Sequence, residues 1–220
     1  MQSIKIDNSI IIENIKDLQF FYNSIKSDIS RRTSEFDMIS KLGDKLDLFK
    51  ELVFCILTAN ASAKMGLKSI EALDDVIFEG NQNDIESKLK GVYRYPTSRS
   101  GYIIRTRDFL QKYDLDLRKI FDQFKDQNEL RDFLVINIVG IGYKECSHFL
   151  RNVGFKGFAI LDKHVISMLN LFECNVEKPT NKKQYQTIEQ KMKDFAKQSN
   201  INFDDLDLLL WSYRTGEIIK

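Results

Sequence analysis

Only two prolines, Pro96 and Pro179, interrupt 220 residues, and between and around them apolar residues recur mostly at helical spacing. A chain so poor in helix breakers is constrained to an all-helical fold. Tyr185, Ile188, Met192, Phe195 and Ala196 form one apolar stripe, and Leu206, Leu209, Leu210 and Tyr213 form another. The second opens on a start signal, with Asp204 as N-cap, Asp207 at N3, and Phe203 and Leu208 placed as a hydrophobic staple. Strand alternation is weak everywhere; Phe158 to Leu161 could run extended but is too isolated to build a sheet. The spacing predicts about ten or eleven helices with short connections. Glycine-marked turns near Gly43 and Gly154 divide them into two helical subdomains. One comprises residues 1–43 and 154–220, formed by both termini. The other is a helical barrel over 44–153.

The chain is long enough to bury a core without staples. Three scattered cysteines, Cys55, Cys146 and Cys174, offer no disulfide framework and no C-x-x-C metal knuckle, which suits a reducing intracellular compartment. Two histidines are too few for a zinc site of the usual kind, so no metal and no cofactor is expected. No stretch approaches a membrane span, and the N-terminus lacks a signal-peptide layout, so a soluble protein is expected. The net charge of +1 says nothing about a polyanionic partner. Its distribution does. Lys88, Lys90, Arg94, Arg99, Arg105 and Arg107 fall in a run with no acidic residue, interleaved with Tyr93, Tyr95 and Tyr102, in the manner of a phosphate-facing patch.

Residues 127–153 carry the chemistry. One helix runs into Val139-Gly140-Ile141-Gly142, and a second leaves from Tyr143, a helix-hairpin-helix pattern. Two glycines around one apolar residue let the backbone turn through positive φ and let a phosphate approach the amides. The second helix presents unpaired N–H groups and its positive dipole end at the same point. A tight turn between bundle helices explains the glycines alone equally well. The helix that follows tips the balance: Cys146, Phe149, Leu150 and Val153 form its apolar stripe, while Lys144, Ser147, His148 and Arg151 share the other face. Lys144 is thereby held in the first turn, where the helix dipole should lower its pKa and favour the neutral amine that nucleophilic attack requires. The next carboxylate after this helix is Asp162, 18 positions after Lys144, placed to N-cap a helix running to about Leu171. A capping carboxylate is rigidly aimed and could also steady positive charge on a sugar carbon.

These residues resemble the helix-hairpin-helix DNA glycosylase superfamily, and most closely its archaeal-type 8-oxoguanine DNA glycosylase/AP lyase class. The resemblance is carried by Leu52 to Ala63, Asn137 to Gly154, Ala159 to His164 and Leu206 to Lys220. It implies a bifunctional enzyme that flips the damaged nucleotide out of double-stranded DNA, releases 8-oxoguanine by attack of Lys144 on C1′, and cleaves the strand by β-elimination through a Schiff base. Asp162 would be the carboxylate partner and His164 would meet the DNA backbone. Trp211 would stack on the flipped purine. Lys220, at the end of the chain, would tell 8-oxoguanine from guanine, with its terminal carboxylate placed along with its ammonium. Asp207 and His148 would line the base pocket. Asn60 would enter the gap left by the base, and Gly140, Gly142, Arg94 and Arg99 would contact DNA. The four-cysteine iron–sulfur loop of the endonuclease III branch is missing, and a monomer is expected. Two alternatives stay open: a glycosylase of the same chemistry for another oxidised base, and a helix-hairpin-helix module that only binds DNA.

Overall fold

The computed structural model describes residues 3–220. In chain order they form β1 (Ile4–Lys5), α1 (Ile15–Leu42), α2 (Lys45–Thr58), α3 (Ala63–Leu73), α4 (Gln82–Leu89), α5 (Pro96–Gln111), α6 (Arg118–Phe121), α7 (Gln127–Asn137), α8 (Tyr143–Asn152), α9 (Lys163–Leu171), α10 (Lys182–Gln198), α11 (Phe203–Thr215) and β2 (Glu217–Ile218). The all-helical expectation holds. Pro96 sits at the first turn of α5, where its missing N–H is no loss. Among the described residues no helix is long and apolar enough to cross a membrane.

The chain folds into two compact units, Met1–Asp37 with Lys156–Lys220, and Met38–Phe155. In the second unit α2 is the central element. Its residues from Glu51 to Thr58 are all buried, so it is apolar nearly all round, as a helix enclosed by neighbours must be. It packs against α3, α5 and α8. Asp44 caps it by accepting from the amides of Leu46 and Asp47, while the Asp47 carboxylate returns to the Asp44 amide.

In the first unit α9 and α10 both pack with α11 or lead into it, and the segment Phe158 to Leu161 is buried without belonging to a helix or strand. A buried extended segment must find partners for its backbone groups. Side chains of α10 supply them: Glu189 accepts from the Ala159 amide at 2.9 Å, and the Tyr185 hydroxyl donates to the Ala159 carbonyl at 2.6 Å. The extended stretch therefore delivers residue 162 to the start of α9 along a fixed path.

Two expectations need correction. The last helix is capped by Asn202, whose side chain accepts from the Asp204 amide at 3.0 Å, and not by Asp204. Asp204 is drawn away because its carboxylate accepts from the Gly157 amide at 2.6 Å, a partner 47 residues distant. Asp207 accordingly falls beyond the capping positions, deep in the helix. The second correction is a small antiparallel sheet, Ile4 opposite Ile218 and Lys5 opposite Glu217. Gly216, at φ +74, ends α11 in the left-handed conformation and turns the chain into it.

Candidate active site and its hairpin

The hairpin begins where α7 ends at Asn137. Ile138 is extended, Gly140 has a φ of +92, and Ile141 is buried at 8% exposure. Only Gly140 needs the left-handed region. Gly142 has a φ of −109 and a ψ of −167, which any residue adopts, so the expectation of positive φ at both glycines is corrected. The reason for glycine at 140 is also steric: an added Cβ would lie 2.4 Å from Cδ2 of Tyr102. The guanidinium groups of Arg99 and Arg105 both pack against the ring of Tyr102, with their central carbons 5.0 and 5.2 Å from its centroid.

Gly142 is the N-cap of α8 and has no side chain to cap with. Glu145, at the third helical position, supplies the reciprocal half of the box: its Oε2 accepts from the Gly142 amide at 3.2 Å. Lys144 is in the first turn, 29% exposed, and its Nζ lies 3.0 Å from Oε1 of the same Glu145. The helix start is pinned to α7 by three further contacts. The Tyr143 hydroxyl donates to Asp132 at 2.7 Å, and the fully buried Arg131 donates to the Ser147 hydroxyl at 3.1 Å and faces the Tyr143 ring. Burial, reinforced by the hydrogen bond to Asp132, pushes the Tyr143 phenol up to about 12.

Cys146, Phe149, Leu150 and Val153 are buried as their spacing predicts. The opposite face is not open. Ser147, His148 and Arg151 are buried too, and His148 meets the Phe54 ring of α2 edge-on at 5.6 Å. Lys144 is the member of that face left accessible. The Cys146 thiol is pushed up by its complete burial, so it is an inert core group.

Elsewhere in this unit, Asn60 follows the end of α2 at a φ of +63, exposed, a conformation that asparagine tolerates better than most residues. Arg94 is exposed, with its guanidinium 5.2 Å from the Tyr95 ring centroid. Arg99 departs from expectation. It is buried at 8% exposure and donates to the Ala59 carbonyl at 2.8 Å. Its charge secures the carbonyl at the end of α2, so it is not a surface phosphate contact. The basic run is also less unopposed than it reads. Lys88 pairs with Asp75 at 2.7 Å and Lys90 with Glu86 at 3.2 Å.

The first unit holds the remaining candidates. Asp162 N-caps α9: its Oδ1 accepts from the amides of His164 and Val165, both at 2.8 Å. Both amides bond the same oxygen, so Oδ2 takes no part in the cap. His164 is half-buried in the first turn of the same helix. On α11, Asp207 is buried at 6% exposure, while Trp211 is partly exposed. The tail is anchored and not frayed, with Ile218 and Ile219 buried at 0% and 2% and Lys220 half-exposed behind them.

A sequence model described as 8-oxoguanine DNA glycosylase matches residues 29–201. The chain belongs to that family. A curated protein of Korarchaeum cryptofilum named 8-oxoguanine DNA glycosylase/AP lyase is 40% identical over 199 residues, covering 89% of this chain and 92% of its own. The Methanocaldococcus jannaschii glycosylase/lyase, solved in complex with a 15mer DNA containing 8-oxoguanine, superposes with a TM-score of 0.84 at 35% identity, covering 94% of this chain and 99% of that one. The Thermotoga maritima 8-oxoguanine DNA glycosylase superposes equally well, at 33% identity and coverage of 94% and 98%. For a glycosylase of this family the residue that sequence reasoning passed over is Glu145. Its signal is the x-x-Glu spacing after the N-cap, disguised because the N-cap is glycine and not serine or threonine.

Proposed function

We propose that this chain is a bifunctional 8-oxoguanine DNA glycosylase/AP lyase, with Lys144 as nucleophile and Asp162 as its carboxylate partner. The observation that carries the reading is the seat of Lys144: an accessible amine in the first turn of a helix whose N-cap is Gly142, directly after a hairpin turned by Gly140. The amides of the hairpin and of the helix start donate to a DNA phosphate oxygen, which fixes the sugar-phosphate chain beside the lysine. The damaged nucleotide turns out of the duplex. Neutral Lys144 Nζ then forms a bond to C1′ as the bond from C1′ to the base nitrogen breaks, and the base departs with the electron pair and takes up a proton. Asp162 stabilises the positive charge that develops on the sugar ring. Ring opening gives the Schiff base, loss of a C2′ proton follows, and the bond from C3′ to the phosphate oxygen breaks by β-elimination.

In the first unit Asp162, His164, Asp207, Trp211 and Lys220 serve substrate recognition: His164 meets the backbone, Trp211 stacks on the purine, and the Lys220 ammonium reads the lesion with Asp207. In the second unit His148 supports the lysine helix, Asn60 enters the vacated stack, and Arg94 with Gly140 and Gly142 contacts DNA. The partner is double-stranded DNA, the enzyme acts as an intracellular monomer, and no cofactor takes part. Borohydride reduction on duplexes bearing 8-oxoguanine, an oxidised pyrimidine or an abasic site tests the reading. The expected outcome is a covalent complex on the 8-oxoguanine duplex that Lys144→Gln abolishes while salt-sensitive binding persists. Binding without base release by the wild type would leave only a DNA-binding module, and preferential release of the pyrimidine would reassign the substrate.

A further inference from the structure

Glu145 divides one carboxylate between two partners. Oε2 accepts from the Gly142 amide at 3.2 Å, and Oε1 pairs with Lys144 Nζ at 3.0 Å. The Gly142 amide is one of the donors that a phosphate would take at the start of α8. A Cβ built on Gly142 would meet nothing but this same Oε2, at 3.5 Å. The carboxylate therefore fills the space that the missing side chain leaves beside the amide. A phosphate oxygen bonding that amide must displace it, and like charges so close repel. The two oxygens belong to one rigid group, so the rotation that takes Oε2 from Gly142 also carries Oε1 away from Lys144. While Nζ is held at Oε1 it is not free to approach a substrate carbon.

We propose that Glu145 is a positioning residue that holds Lys144 in reserve: it occupies the Gly142 amide in place of DNA phosphate, and its displacement by that phosphate releases the nucleophile. The inference rests on the proposed function for the identities of anion and nucleophile. A purely structural cap makes the opposite forecast, because removing it loosens α8 and weakens DNA binding.

The test uses Glu145→Gln, whose amide oxygen can still accept from Gly142, together with Glu145→Ala. The first readout is affinity for a duplex carrying a tetrahydrofuran abasic analogue, which cannot form a Schiff base. The expected result is tighter binding by both variants, about threefold to tenfold at low salt. The second readout uses no DNA: labelling of Lys144 by trinitrobenzenesulfonate, followed by peptide mass spectrometry, should run several-fold faster in Glu145→Gln than in wild type. A weaker complex in both variants, or an unchanged labelling rate at Lys144, overturns the proposal. Failure of the wild type to trap on an 8-oxoguanine duplex counts against the glycosylase reading and leaves the labelling result to judge the hold on Lys144.

Discussion

Alanine at position 140 should destabilise the protein through two separable costs. The first is conformational. At a φ of +92 a Cβ crowds the backbone, which costs about 1–2 kcal/mol. The second is steric: the new Cβ would stand 2.4 Å from Tyr102 Cδ2 and 3.1 Å from Cε2. Carbon atoms rest at roughly 3.5–4.0 Å, so the ring would have to retreat by about an ångström. Both Arg99 and Arg105 pack against the ring and oppose that shift. Overpacking of this kind costs about 1–3 kcal/mol. The sum is about 2–5 kcal/mol, and a chain of this size loses roughly 2–4 °C of melting temperature per kcal/mol. Thermal unfolding followed by circular dichroism should therefore show Gly140→Ala melting roughly 5–20 °C below wild type. Tyr102→Ala in the same chain should remove the steric part and leave only the backbone cost, about 1–2 kcal/mol, as the effect of Gly140→Ala. Gly142→Ala is the internal control, because its backbone is ordinary and its Cβ would make only van der Waals contact at 3.5 Å. That variant should melt within about 2 °C of wild type and lose duplex affinity instead. Equal melting of Gly140→Ala and wild type, or a larger loss in Gly142→Ala, would refute the assignment of the turn to Gly140 and of phosphate approach to Gly142.

Asp162→Asn should fold as wild type, since asparagine caps as well as aspartate, yet release 8-oxoguanine far more slowly in single-turnover assays while still trapping on a preformed abasic site; equal rates of base release would remove Asp162 from the chemistry. Removing Lys220 should leave the melting temperature nearly unchanged, because the anchored residues are Ile218 and Ile219. Its effect should appear as a lost preference for 8-oxoguanine over guanine, and a retained preference would count against the pocket assignment. Tyr143 is held neutral up to about 12, against 10.0 for an ordinary phenol. A folded-state pKa raised in this way contributes stability that is complete below pH 10 and lost as the pH climbs from 10 to 12. Urea midpoints of Tyr143→Phe should accordingly fall less steeply than those of wild type across that interval, and parallel slopes would show that burial and the Asp132 bond do not perturb the phenol.

The lysine helix was legible because its information is local. Cys146, Phe149, Leu150 and Val153 lie within two turns of one another, and Asp162 reaches its two amide partners within three residues. Glycine at 140 announces a special backbone position for the same reason. The basic run was only half legible, because composition lists charges without their partners: Asp75 and Glu86 take up Lys88 and Lys90, and the Ala59 carbonyl takes up Arg99.

The sequence by itself determined the helical class and the placing of Lys144 behind a glycine hairpin, since apolar period, capping and turn chemistry act over four residues or fewer; the family was legible through the resemblance of whole segments. Only the tertiary structure decided which distant groups are satisfied by which. Asp204 left the helix cap to bond Gly157, Ile4 met Ile218 from the other end of the chain, and α10 side chains held the strand-like path to Asp162. Buried backbone and charged groups must all find partners, and the choice among distant candidates follows from how the helices pack, which no local pattern encodes.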